Sequence, residues 1–119
     1  MNSNDFLKEL ANEFGLEYVQ LSPFAAFLYY PNFYEVWLVS NFGSGSYKIS
    51  INCLDKVNIS YDYRPEIVDG GCVEFNVWAS AAIRQRLIHT VKQVRDVIEA
   101  IKKAKIRDKI KDLEKDFEK

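Results

Sequence analysis

Apolar residues recur along this chain in two different periods, and the switches between them divide it into a helix, a run of strands and a second, much longer helix. Phe6, Leu7, Leu10, Ala11 and Phe14 repeat at helical spacing behind a cap at Ser3 or Asn4. Lys8, Glu9 and Glu13 are left to water, and Gly15 is a natural stop. This amphipathic helix is suited to covering a sheet.

From Leu16 to Ala79 the grammar changes to short aromatic and β-branched runs separated by Pro, Gly, Asn and Asp: EYVQL, AFLYY, FYEVWLVS, YKISINC, NISYDY and CVEFNVW. The connections are too short for parallel crossovers, so the runs predict an antiparallel meander of four to five strands. Strict alternation assigns its faces. Tyr47, Ile49, Ile51 and Cys53 oppose Lys48, Ser50 and Asn52; Val57, Ile59, Tyr61 and Tyr63 oppose Asn58, Ser60 and Asp62; Val73, Phe75 and Val77 oppose Glu74, Asn76 and Trp78. One face is greasy and the other polar.

The last element is expected to begin with Ser80 as its cap, and no Gly or Pro interrupts Ala81 to Lys119. A straight helix of that length would run about 57 Å, against a radius of gyration of about 13 to 14 Å for a domain of this size. Leu87, Val91, Val94, Ile98 and Ile101 form a stripe flanked by Ile83, Ile88 and Val97, broad enough to serve the sheet. Continuing that spacing lands on Lys105 and Asp108. A new series, Ile106, Ile110, Leu113 and Phe117, begins about 100° around the helix. The expected fold class is therefore α+β, an antiparallel meander with an N-terminal helix and a long C-terminal helix covering one face. Residues 1–101 make one domain and 102–119 a charged helical extension that projects or turns.

At 119 residues, 48% hydrophobic and 14% aromatic, the chain has ample material for a single core. Its start lacks the basic and apolar regions of a signal peptide, and no segment approaches a membrane span, so a soluble cytoplasmic protein with no membrane partner is expected. Net charge is -1, but residues 1–80 carry -6 and residues 81–119 carry +5. Such a dipole can orient a partner within the screening length of about 8 Å.

Catalytic signatures are weak. Cys53 and Cys72 read as ordinary strand residues, and with His89 they are too few for a zinc site. His89 has no nucleophile or metal partner at a useful spacing and reads as a boundary residue. The loop NFGSGS leads into a strand rather than a helix, so it is a hairpin loop and not a phosphate cradle. The loop RPEIVDGG lacks the ligand pattern of a calcium site and reads as a solvated turn. No catalytic residue, metal or cofactor is expected.

Three surfaces remain as candidates. The polar sheet face combines small residues, Ser50, Asn52, Asn58, Ser60 and Asn76, with Glu35, Asp62 and Glu74, and alternation puts Trp37 among them. A tryptophan on a flat polar surface is a typical interface anchor, and the acids favour a neutral or basic protein partner. The stripe Ile106, Ile110, Leu113 and Phe117 has two heptads, enough for weak pairing with a second copy or for folding back. Finally, Arg84, Lys92, Arg95, Lys102 and Lys103 form basic rows that could follow phosphates, although acids are interspersed and the isoelectric point is about 5.8.

The leading expectation is a small non-enzymatic protein-binding module, with nucleic-acid binding as the alternative. A further alternative is a ligand-binding or enzymatic pocket between helix and sheet, around Tyr61, Tyr63, Asp62 or His89. Richness in Lys, Asn, Tyr, Phe and Ile fits an AT-rich bacterial or phage gene, and with it an inhibitor, immunity or accessory protein.

Overall fold

The chain runs α1 (Ser3–Phe14), β1 (Glu17–Ser22), β2 (Ala25–Tyr30), β3 (Phe33–Ser40), β4 (Lys48–Asn52), β5 (Lys56–Ile59), β6 (Pro65–Asp69), β7 (Cys72–Asn76) and α2 (Ser80–Phe117). The structure, a computed structural model, describes residues 3–23, 25–41, 47–69 and 71–117, without the side chains of 69 and 115–117. Most of the NFGSGS loop and the first glycine of the Gly-Gly pair lie outside the described residues.

Local chemistry sets the first boundaries. Gly15 takes a φ of 67°, a conformation that costs residues with a Cβ, and lets Leu16 N–H reach back to the Ala11 carbonyl at 2.9 Å. The β2–β3 reversal turns on Pro31 and on Asn32, which adopts a φ of 64° that asparagine tolerates better than most residues. Asn41 extends this hairpin beyond its ladder. Its backbone N–H donates to the Ala26 carbonyl at 3.2 Å, and its side-chain oxygen accepts from Ala26 N–H at 2.6 Å. The Asn41 amide also donates to Asn4 Oδ1 and, at 3.5 Å, lies near Ser3 Oγ, tying the start of α1 to the sheet.

Sheet A has the order β1-β2-β3-β4-β7 and is antiparallel throughout. It is the expected meander with one correction, and the stretch RPEIVDGG, expected as a solvated turn, supplies the strand β6 outside it. The run NISYDY is not a strand of this sheet. It ends as β5 at Ile59, turns, and pairs with β6 in a separate two-stranded sheet B. Tyr63 stands at a φ of 63°, Tyr63 N–H donates to the Ser60 carbonyl at 3.0 Å, and Ser60 N–H donates to Arg64 O at 2.9 Å. These turn bonds remove residues 60–63 from the alternation, leaving Tyr61 96% exposed. Cys53 N–H donates to Gly71 O at 2.9 Å where the excursion leaves and rejoins sheet A, and β7 then pairs with β4 from Asn52↔Cys72 to Lys48↔Asn76.

Both helices cover the same face of sheet A. Phe6, Leu7 and Leu10 from α1 meet Leu28, Leu38, Ile49 and Ile51 from the sheet and Ile83, Leu87 and Val94 from α2, all essentially without solvent exposure. At about 25 cal/mol per Å2 of apolar surface, this shared core is the main stabilising term. Thr90, also fully buried, donates its hydroxyl to Asn52 O at 3.0 Å and is thereby satisfied.

Three further expectations are corrected here. Ala79, not Ser80, caps α2, because Ile83 N–H bonds to Ala79 O at 2.9 Å while Ala79 N–H closes a turn onto Asn76 O. Tyr47 leaves the greasy face, since it precedes β4 and stacks on Trp78 at 5.6 Å between ring centroids. Ile88, one position past the inward Leu87, points to solvent.

α2 does not turn back. It continues to Phe117 and gives the molecule extents of 65 × 24 × 23 Å and a radius of gyration of 17.4 Å, well above the figure of about 13 to 14 Å for a compact chain of this length. Sheet B lies along its second half, where Tyr63 donates its hydroxyl to Asp108 Oδ2 at 2.7 Å and Lys105 sits 5.6 Å from the Tyr63 ring.

Candidate binding surfaces

Neither helix covers the second face of sheet A, and its first three strands present aromatic rings there. Register places Val19 opposite Phe27 and Glu17 opposite Tyr29, and pairs Tyr29 with Trp37. The Phe27 and Trp37 rings lie 6.0 Å apart, and Tyr29 meets Tyr34 edge-on at 5.7 Å. The Tyr34 hydroxyl donates to a Glu17 carboxylate oxygen, and this bond holds the phenol above its ordinary pKa. Trp37 is half-buried, with its backbone carbonyl accepting from the Asn52 side chain at 3.0 Å. That bond ties the backbone of β3 at Trp37 to β4, while the indole packs against the Phe27 ring.

The polar part of the face lies across β4 and β7, where Ser50 pairs with Glu74 and Lys48 with Asn76. Glu74 and Asn76 are exposed there, separated from Trp37 by β4. Glu35 is exposed at the start of β3 and shares a shallow depression of about 360 Å3 with Tyr34, Arg64 and Pro65. Asp62 is not on sheet A, contrary to expectation, nor are Asn58 and Ser60. Asp62 sits in the sheet B turn, accepts from the Ser60 hydroxyl, which holds its carboxyl below the usual range, and pairs with Arg64 at 3.4 Å. Trp78 is 74% exposed but stacks on Tyr47 beyond the ends of β4 and β7.

Phe27, Tyr29 and Tyr34 were missed by the pattern of the sequence. In AFLYY every residue is apolar or aromatic, so the period of two leaves no mark, and only the strand pairing shows that Phe27 and Tyr29 face away from Leu28.

On α2, Ile106, Ile110 and Leu113 are 59%, 50% and 54% exposed. The side chain of Phe117 lies outside the described residues. Sheet B occupies another side of this segment, lining a groove with Ala100, Lys103, Ala104, Arg107 and Asp108.

The basic rows are partly engaged within the molecule. Arg84 Nε–H is shared between the two Glu13 carboxylate oxygens, each at 3.0 Å, and the guanidinium lies 5.6 Å from the Phe6 ring. Arg95 stacks at 6.0 Å over Tyr30 and reaches its hydroxyl at 3.4 Å. Lys92, Lys102 and Lys103 are exposed, with Lys102 bordering a groove of about 610 Å3 that also holds Glu99 and the Tyr30–Phe33 turn. A phosphate tracking these lysines would meet Asp96 and Glu99 on the same helix.

The residues considered for a pocket chemistry do not converge. His89 borders a groove with Leu54, Asp55 and Gln93, whereas Tyr61 and Tyr63 border the one farther along α2. Among the described residues, no three His, Cys, Asp or Glu side chains are close enough to hold a metal ion. Cys53 accepts from Arg86 Nη2 at 2.9 Å, and burial, then the neighbouring Cys53 and Glu74, push the Cys72 thiol up, away from the nucleophilic thiolate. No described helix is long and apolar enough to cross a membrane. Compared with models of protein families, with curated proteins and with solved structures, the chain has no significant match.

Proposed function

We propose that this protein is a non-enzymatic protein-binding module that engages its partner through the uncovered face of sheet A, with Trp37 as the anchor and Phe27, Tyr29 and Tyr34 beside it. One observation carries the reading: a contiguous set of four interacting aromatic side chains lies on the sheet face opposite both helices. Tryptophan and tyrosine dominate interface energetics because they remove a large area from water while few rotamers are frozen. Glu17, Glu35 and Glu74 border this face and favour a neutral or basic partner surface. A small inhibitor, immunity or accessory protein acting in the cytoplasm of a bacterium or phage-infected cell suits this design, and two free thiols suit a reducing compartment.

The test is affinity capture by tagged full-length protein, followed by titration of the purified partner against variants. Tyr34→Ala is expected to weaken binding while leaving the fold intact, and Trp37→Ala to cost at least about 2 kcal/mol, roughly thirtyfold in Kd. Undiminished binding by both variants, with circular dichroism confirming that they are folded, refutes the reading. Nucleic-acid affinity that falls steeply with salt and disappears when Arg95 and Lys102 become Glu would favour the alternative.

A further inference from the structure

Residues 102–111 of α2 carry six Lys or Arg and a single acid, Asp108, and the hairpin of sheet B brings an exposed aromatic ring alongside them. Lys103, Arg107 and Lys111 stand four residues apart, so they form one ridge of the helix, each step about 6 Å along the axis and about 40° around it. All three are exposed, and none makes an ion pair or hydrogen bond among the described residues. Like charges at this spacing destabilise a helix, and an anion lying along the ridge removes that repulsion. The acid within the stretch is already engaged, since Asp108 accepts from the Tyr63 hydroxyl at 2.7 Å while Lys105 lies 5.6 Å from the same ring.

Lys103 and Arg107 also line one side of a groove of about 480 Å3 whose other side is the hairpin turn, with Ser60, Tyr61 and Tyr63. Tyr61 is 96% exposed and makes no ring contact or hydrogen bond among the described residues. Its acidic neighbour Asp62 is held by the Ser60 hydroxyl and by Arg64. A free aromatic face beside a regular row of unpaired cations suits a flexible strand, whose phosphates follow the cations while its bases stack on the ring. Asp96 and Glu99 before the row and Glu114 after it limit the row to about three phosphates.

We infer that this groove binds single-stranded nucleic acid, Lys103, Arg107 and Lys111 meeting successive phosphates while Tyr61 stacks on a base. A duplex keeps its bases stacked on one another and offers Tyr61 none. A bilayer would be met through Ile106, Ile110 and Leu113, which the groove does not include. The groove shares no residue with the aromatic face of sheet A, so this site and the protein-binding reading stand or fall separately.

Fluorescence anisotropy of a labelled mixed-sequence single strand of about twelve nucleotides, titrated with the full chain at several salt concentrations, tests this. Saturable binding is expected, with log K falling against log salt at a slope of about −2, the value for three phosphate contacts to a single strand. Lys103→Ala with Arg107→Ala should flatten the slope to about −0.7. Tyr61→Ala should weaken binding at least about fivefold with the slope unchanged, and Tyr61→Phe should retain it. All these positions are exposed or, for Tyr61, in a turn, alanine suits a helix, and circular dichroism confirms that the variants are folded. Absence of binding at low salt, a duplex of the same length bound as tightly, a Tyr61→Ala variant that binds like the parent, or a slope unmoved by the loss of Lys103 and Arg107 would each overturn the inference. So would binding to vesicles of phosphatidylcholine and phosphatidylserine that the single strand does not displace.

Discussion

Replacing Asn41 with Ala should be among the most damaging polar substitutions in this chain, although the residue looks like the first position of a glycine–serine loop. Asn41 is only 5% exposed, and its side chain stands in for a missing rung of the β2–β3 ladder by accepting from Ala26 N–H, a donor on a residue with no exposure at all. Without that acceptor the N–H is orphaned at a cost of about 1 to 3 kcal/mol. Losing the amide's bond to Asn4 adds about 1 kcal/mol, because the start of α1 is no longer held to the sheet. The total, about 2 to 4 kcal/mol, is a large part of the 5 to 15 kcal/mol or so that typically separates a folded domain from its unfolded chain. In urea, with m of about 2 kcal/mol per M, the midpoint should fall by about 1 to 2 M with the slope unchanged. Asn4→Ala should cost about 1 kcal/mol alone and less in the Asn41→Ala background, since both remove the same bond. An Asn41→Ala midpoint within about 0.25 M of the parent, or strict additivity with Asn4→Ala, would show that this bonding scheme does not hold the hairpin and helix together.

Two other predictions concern the helix. Leu87→Ala removes a fully buried side chain where α2 crosses the sheet and is expected to cost about 3 to 5 kcal/mol, read from the same urea transition; a loss under about 1 kcal/mol would mean the core readily collapses into the space. The hydrogen bond to Asp108 raises the Tyr63 phenol above 10.0, so its contribution to stability is fully present below that pH and is lost as pH rises through the folded-state value. In an ultraviolet titration, Asp108→Asn should bring the Tyr63 transition, identified by difference from Tyr63→Phe, back toward 10.0, and an unmoved transition would deny the contact.

Legibility in the sequence followed how strongly each segment contrasts with its surroundings. The first helix could be placed from five apolar positions and one glycine, and β4 from a clean alternation whose inward members Ile49 and Ile51 are fully buried. The split between β5 and β7 was not legible, because Tyr61 and Tyr63 continue the alternation of Val57 and Ile59 while their backbone is already turning. Which strand a strand pairs with is a long-range choice, and alternation is silent about it. The candidate face was half-legible for a related reason. Trp37 shares its alternation with Glu35, which marks the outward face of β3, but Phe27 and Tyr29 are hidden in a run where both faces are apolar. The turn to a second stripe after Ile101 was legible because the charges at Lys105 and Asp108 interrupt the first.

The hairpin of β5 and β6 ties together two lengths that could otherwise vary separately. Val57 and Ile59 on the hairpin are half-buried, as are Val97, Ile101 and Ala104 on the helix it accompanies, and the Tyr63 hydroxyl closes the far end at Asp108. Shortening the excursion between β4 and β7 would leave sheet A its register, since Cys53 and Gly71 already meet at its base, but would strip the helix of cover along those positions. Shortening the helix would expose the hairpin in turn. An insertion or deletion in the hairpin, or in the helix up to Asp108, is therefore expected to need a matching change in the other, whereas α2 runs on past Asp108 to Phe117 beyond the hairpin's last contact.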